Sequence, residues 1–243
     1  MKITAFNGSP RGKNSNTSIM VNDFFKGAAN AGAETEQIYL AEKKTGYCRG
    51  CFNCWTVTPG KCIIKDDMAE LLKKVINSDV IIMATPLYVD GVTAILKAFM
   101  DRLLPLLDPH FEKDGNGEWR HIKLFDSYPK IIVVSNCGMS GREHFQPLKL
   151  HFRRVARNFH SVVAAEIYLE GGEILHNRSI VLKPLISNYR KYLRKAGEEF
   201  VTSGAISEKT AAHLAKPLIK ERIYMREANK HWDKELRKLQ ENS

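Results

Sequence analysis

The chain has 243 residues, with 37 basic against 27 acidic side chains and a formal net charge of +10. No apolar run approaches the length of a membrane span, and no apolar signal core precedes the first strand, so the sequence predicts a cytoplasmic protein. Five Cys, four of them within residues 48–62, suit thiol or metal chemistry in a reducing compartment better than a disulfide framework.

In chain order, a short apolar strand over Ile3-Phe6 runs into Asn7-Gly8-Ser9-Pro10-Arg11-Gly12-Lys13-Asn14-Ser15-Asn16-Thr17-Ser18. A helix is predicted over Thr17-Ala31, where Met20, Phe24, Ala28 and Ala31 recur at helical spacing. Strand, polar turn and helix together make an anion site, because free N–H groups and the positive end of the helix dipole face the turn. Ser9, Ser15, Asn16, Thr17 and Ser18 supply neutral hydrogen bonds, and Arg11 a charged one. No Asp or Glu occurs before Asp23 to repel a phosphate. The dinucleotide fingerprint is absent. The triphosphate loop is excluded as well: the run Gly8 to Lys13 is one residue short, and Asn14 stands where Ser or Thr would hold magnesium. The simpler alternative is an ordinary helix cap, at which Ser and Thr are favoured.

Further strands read at Glu36-Leu40, Val80-Ala84, Ile131-Ser135 and Val162-Ile167, and further helices at Asp67-Asn77, Val92-Leu103 and Arg142-Phe159. Five strands with helical crossovers predict an α/β fold, a parallel sheet covered on both faces. Between the second strand and its helix lies Cys48-x2-Cys51-x2-Cys54-x7-Cys62. Compact spacing of this kind suits a cubane iron–sulfur cluster better than zinc, which pairs two knuckles across a longer gap. Reduced thiols are the alternative.

Thr85-Pro86-Leu87-Tyr88-Val89-Asp90-Gly91 follows the third strand, with Lys97 and Asp101 beyond it spaced as a helix salt pair. The long polar segment Leu104-Tyr128, with Asp114-Gly115-Asn116-Gly117 at its middle, reads as a turn or small hairpin expected near the ligand end of the sheet. It carries Trp119, Arg120 and His121, the last expected in a solvated loop. Asn136-Cys137-Gly138-Met139-Ser140-Gly141 follows the fourth strand, where Gly138 permits close backbone approach and Cys137 reads as a small wall residue.

Two further stripes, Ile186-Tyr189-Leu193-Ala196-Phe200 and Met225-Ala228-Trp232-Leu236-Leu239, predict extra C-terminal helices. The expected division is a domain over residues 1–203 and a helical extension over 204–243. Residues 183–243 hold 14 Lys and Arg against 8 Asp and Glu. This basic surface reads mainly as solvated helix faces; no nucleic-acid motif accompanies it, and neither nucleic acid nor membrane is expected as a partner.

Gly8-Ser9-Pro10-Arg11 followed by Asn16-Thr17 resembles the FMN-phosphate loop of the NADPH-dependent FMN reductase and iron–sulfur flavoprotein branch of the flavodoxin-like superfamily. The cysteine run followed by Ile63-Ile64-Lys65-Asp66-Asp67-Met68, and the loop Thr85 to Gly91 with Leu96-Lys97 and Asp101-Arg102 beyond it, are similar to further motifs of that family. The resemblance implies a doubly wound sheet of order 2-1-3-4-5, with ligands beyond the strands' carboxyl ends. It implies FMN held by Ser9, Arg11, Ser15, Asn16, Thr17 and Ser18 at the phosphate. Pro86, Leu87, Tyr88, Val89, Gly91, Asn136, Cys137 and Gly138 would stand around the ring. Cys48, Cys51, Cys54 and Cys62 would hold a [4Fe–4S] cluster. The implied function is an oxidoreductase passing hydride or electrons from NAD(P)H to an unidentified acceptor; the alternative is an electron-transfer protein acting between protein partners. A homo-dimer or tetramer is expected, with the last apolar stripe at its contacts. No catalytic acid or base is expected, because the flavin would carry the chemistry.

Overall fold

The computed structural model describes residues 1–241. Five parallel strands form the central sheet: β1 (Lys2–Asn7), β2 (Glu34–Tyr39), β3 (Val80–Pro86), β6 (Lys130–Asn136) and β7 (Val163–Leu169), in the order β2-β1-β3-β6-β7. With the two hairpin strands set aside, this is the doubly wound order expected from the sequence. β3 and β6 are apolar on both faces, as strands covered by helices on each side must be.

Helices α1 (Asn16–Asn30) and α6 (Lys183–Ser203) cover one face, where Phe24, Ala28, Tyr189, Leu193 and Phe200 pack. The two backbones nearly touch: a Cβ on Gly27 would lie 1.7 Å from the Arg194 carbonyl oxygen, and one on Gly197 2.0 Å from that of Phe24. Glycine is therefore required at both positions. Helices α3 (Met68–Ile76), α4 (Ala94–Asp101) and α5 (Gln146–Asn158) cover the other face around Leu71, Leu96, Phe99, Phe145 and Phe152. The fourth crossover helix, α5, begins later than the apolar stripe predicts. Arg142–Phe145 forms a tighter single turn, and Pro147 sits in the first turn of α5, where its missing N–H costs nothing.

The polar segment after α4 is an antiparallel hairpin, β4 (Leu107–Lys113) and β5 (Trp119–Lys123). Its position differs from the expectation. Arg157, in the last turn of α5, donates to Asp114 and to the Trp119 carbonyl, and the His160 ring bonds the His121 carbonyl. The carboxyl end of α5 lies at the amino end of the strands, so the hairpin sits there and not beside the ligand loops. The sequence expectation followed chain order; the ion pairs with α5 decide the placement.

Three helices follow β7, where the stripes suggested two: α6, a short α7 (Glu208–Leu214) and α8 (Glu221–Glu241). Thr210, Leu214 and Tyr224 are buried in or beside the α1–α6 core. Met225 still packs against that core, while farther along α8 Trp232 and Leu236 are exposed.

Candidate functional site

The turn after β1 is drawn tightly against the start of α4. A Cβ on Gly8 would lie 2.6 Å from that of Leu96, so no larger residue fits. Thr93 Oγ1 donates to the Gly8 carbonyl at 2.7 Å and caps α4 by accepting from the Leu96 N–H. Ser15 caps α1 by accepting from Ser18 N–H at 3.0 Å. Capping thus explains Ser15, as the simpler reading had it. It does not explain the hydroxyls and amide around it.

A polar cleft, open to solvent, lies above this turn. Ser9, Arg11, Ser15, Asn16 and Thr17 form one wall, Pro86, Leu87 and Tyr88 a second, and Asn136, Cys137, Gly138 and Glu173 a third. Three chain segments distant in sequence therefore meet at the carboxyl ends of β1, β3 and β6. They are tied together directly: Leu87 N–H donates to the Asn136 carbonyl at 2.8 Å, and Asn136 Nδ2 donates to Thr17 Oγ1 at 2.9 Å. That second bond occupies the amide nitrogen of Asn136, leaving its Oδ1 packed where Gly172 approaches closely.

Of the residues picked from sequence, Ser18, Val89 and Gly91 do not line the cleft. Ser18 Oγ is within 3.1 Å of the Tyr39 hydroxyl, below the surface. Tyr88 and Gly91 close a tight turn on each other, which puts Val89 and Asp90 at positive φ of 49° and 53° at its tip. A β-branched residue in that region is strained, and Val89 projects fully into solvent.

Two residues that carried no motif belong to the site. Glu173 lines the cleft, and Tyr224 of α8 donates to both Glu173 Oε1 and the Gly138 carbonyl. Burial, then the Glu173 carboxylate, push the Tyr224 hydroxyl above the usual tyrosine range, so it stays a donor. Burial likewise raises the Cys137 thiol, whose hydrogen goes to the Met139 carbonyl at 3.1 Å. A neutral wall thiol fits this better than a redox nucleophile.

The groups present suit a phosphorylated flavin. The N-terminus of α1, the Ser9 and Thr17 hydroxyls and the Arg11 guanidinium meet at the cleft and supply the donors and the positive field a phosphate needs.

The four clustered cysteines form a second site, at the carboxyl end of α4. Cys48, Cys51, Cys54 and Cys62 all line one small pocket, closed by Asp101, Arg102, Leu104 and Pro105. A short helix α2 (Asn53–Thr56) carries Cys54 and Trp55, and Trp55 Nε1 donates to the Leu104 and Leu107 carbonyls. Trp55 also stacks on Phe52 and packs against His121, so His121 belongs to this side of the molecule and not to the cleft. Burial raises the Cys54 thiol, and the neighbouring Cys62, Cys48 and Cys51 raise it further. Among the described residues no group of His, Cys, Asp or Glu is drawn together tightly enough to hold a single metal ion. Four thiols lining one pocket are the kind of donor set that an iron–sulfur cluster takes.

Residues 1–169 match the family model described as NADPH-dependent FMN reductase. The chain belongs to that family. It is 43% identical over 105 residues to an iron–sulfur flavoprotein of Archaeoglobus fulgidus, covering 43% of this chain and 46% of that protein. It is 44% identical over 106 residues to iron–sulfur flavoprotein MJ1083 of Methanocaldococcus jannaschii, covering 44% of this chain and 53% of that one. The aligned part is thus about half the length of these curated relatives. Among solved structures, an FMN-dependent NADH-azoreductase from Bacillus anthracis matches with a TM-score of 0.58 at 15% identity, over 82% of this chain and 99% of that one. At this identity the likeness bears on the fold, which is flavodoxin-like. This FMN reductase family member has no helix among its described residues long and apolar enough to cross a membrane.

Proposed function

We propose that this protein is an FMN-dependent oxidoreductase that takes hydride or electrons from NAD(P)H and passes them to an acceptor not yet identified. The observation that carries this reading is the polar cleft at the switch point of the sheet, where the N-terminus of α1, the Ser9 and Thr17 hydroxyls and Arg11 converge. Ser9, Ser15, Asn16, Thr17 and Arg11 would hold the phosphate of FMN. Leu87 and Tyr88 would flank the ring, and Cys137, Gly138 and the Glu173–Tyr224 pair would wall its far side. Bound FMN supplies the hydride chemistry; the chain orients it and leaves no acid or base to be named. The test is rapid mixing of FMN-loaded protein with NADH and NADPH. Flavin bleaching by either supports the reading, and none by both overturns it.

A second reading, supported by the four cysteines around one pocket, makes the chain an iron–sulfur flavoprotein that relays electrons between protein partners. Cys48, Cys51, Cys54 and Cys62 would hold a [4Fe–4S] cluster in the cytoplasm, where thiols stay reduced. Absorption, iron and sulfide analysis of anaerobically purified protein test it. We further propose a homo-dimer or tetramer in which the Met225-Ala228-Trp232-Leu236-Leu239 stripe takes part, since Trp232 and Leu236 are exposed on a helix otherwise crowded with charge. Light scattering of the full chain and of a chain ending before Pro217 tests the stripe's part.

A further inference from the structure

We propose that Arg102 is the positioning residue of the cysteine pocket: it holds both ends of the cysteine loop and lines the pocket beside the four thiols, so that it sets both the occupancy and the reduction potential of a cluster bound there. This rests on the iron–sulfur reading of that pocket.

Arg102 is the largest fully buried side chain of the molecule's described residues, with 1% of its side chain exposed. Burying a guanidinium is costly unless its donors are met. Here NH1 donates to the Gly46 carbonyl and to Asp66 Oδ2, both at 2.8 Å, and NH2 donates to Asp66 Oδ1 at 3.0 Å. Gly46 lies two residues before Cys48 and Asp66 four residues after Cys62. One side chain therefore closes the two ends of the whole cysteine-bearing loop on each other. Asp66 completes the clamp by accepting from the Gly46 and Met68 N–H groups.

Two observations go beyond a structural anchor. Arg102 lines the same pocket as the four cysteines. Its Nε, also buried, has no partner among the described residues, as expected of a donor set with more to give than the protein side accepts. A buried positive charge beside the coordinating sulfurs favours the more negative, reduced state of a cluster, whose potential is set in part by local charge and burial.

The test uses the full chain purified anaerobically, with Arg102→Lys and Arg102→Met as variants. Outer residues that orient metal ligands are worth roughly ten- to a hundredfold in affinity. Arg102→Met should therefore require roughly that much more iron and sulfide for half-maximal reconstitution. Arg102→Lys, which keeps the charge and loses the fork, should retain part of the cluster at a potential nearer wild type than that of Arg102→Met, which should be more negative. In the iron-free proteins, hydrogen exchange over residues 46–66 should rise in both variants, with residues 1–18 unchanged. Reconstitution and potential matching wild type in both variants would overturn the proposal. Wild-type protein that takes up no iron and sulfide, while exchange still rises in the variants, would overturn the iron–sulfur reading and leave Arg102 a structural clamp only. Unchanged exchange would remove the clamp itself.

Discussion

The cleft and the cysteine pocket are held together in opposite ways. The cleft is assembled from the carboxyl ends of three neighbouring strands, and its walls are tied by bonds from Leu87 to Asn136, Asn136 to Thr17 and Thr93 to Gly8. Those strands are also the most deeply buried part of the protein, so the cleft inherits the rigidity of the sheet. The cysteine pocket is made from one loop whose only regular element is a single helical turn. Its closure depends on Arg102, Asp66 and Trp55. A site at strand ends tolerates the loss of one contact; a site on a loop concentrates its stability in a few residues.

The largest expected effect separates the two sites completely. Cys62→Ser should abolish iron and sulfide uptake while leaving FMN content at the wild-type level; parallel loss of both cofactors would show that the pocket and the cleft are not independent. Next, Arg11→Ala removes one charge-assisted bond at an exposed rim, worth about 1.5 kcal/mol or roughly tenfold in the FMN dissociation constant. Fluorescence titration measures it, and an unchanged constant would place the phosphate elsewhere. A smaller change is expected from Tyr224→Phe, which deletes the bonds to Gly138 and Glu173 and should weaken FMN by about 1 kcal/mol. An effect equal to that of Arg11→Ala would mean that the α8 wall matters as much as the phosphate turn.

The smallest effect concerns pH. Burial raises the Asp66 carboxyl, but the Arg102 bonds and the Gly46 and Met68 N–H groups outweigh it and hold the group below the usual carboxylate range. A depressed carboxyl stabilises the fold fully above the unfolded value, near pH 4, and loses that contribution as pH falls through the folded value. The urea midpoint of wild type should therefore fall more steeply below about pH 4 than that of Asp66→Asn. Parallel curves would mean that the pair contributes little.

Much of this was legible in the residues. β3 and β6 read directly as strands because their apolar runs are continuous, and the turn after β1, which lines the cleft, stood out because its polar groups exceed what a cap needs. The Lys97–Asp101 pair appears at 2.6 Å as its spacing implies. Other features were out of reach of local pattern. The hairpin's location depends on Arg157 finding Asp114 across 43 residues, and no periodicity encodes that. Asp66 and Arg102 each belong to a recognisable motif, yet that the two motifs exist for each other emerges only when α4 is packed beside the loop. Glu173 sits in a Gly171-Gly172 turn, where a Cβ on Gly172 would come within 2.5 Å of Asn136 Oδ1. The two glycines are the one local sign that this turn approaches the site.

Tyr224 joins the outermost helix to the innermost wall. Its hydroxyl reaches Gly138 and Glu173, while the far turns of α8, with Trp232 and Leu236, are exposed. Seating the helix and shaping the cleft thus share one equilibrium. Whatever grips the outer stripe and favours the seated helix must tighten the cofactor by some factor, and the cofactor must strengthen that grip by the same factor. The helix is a lever with its fulcrum in the site.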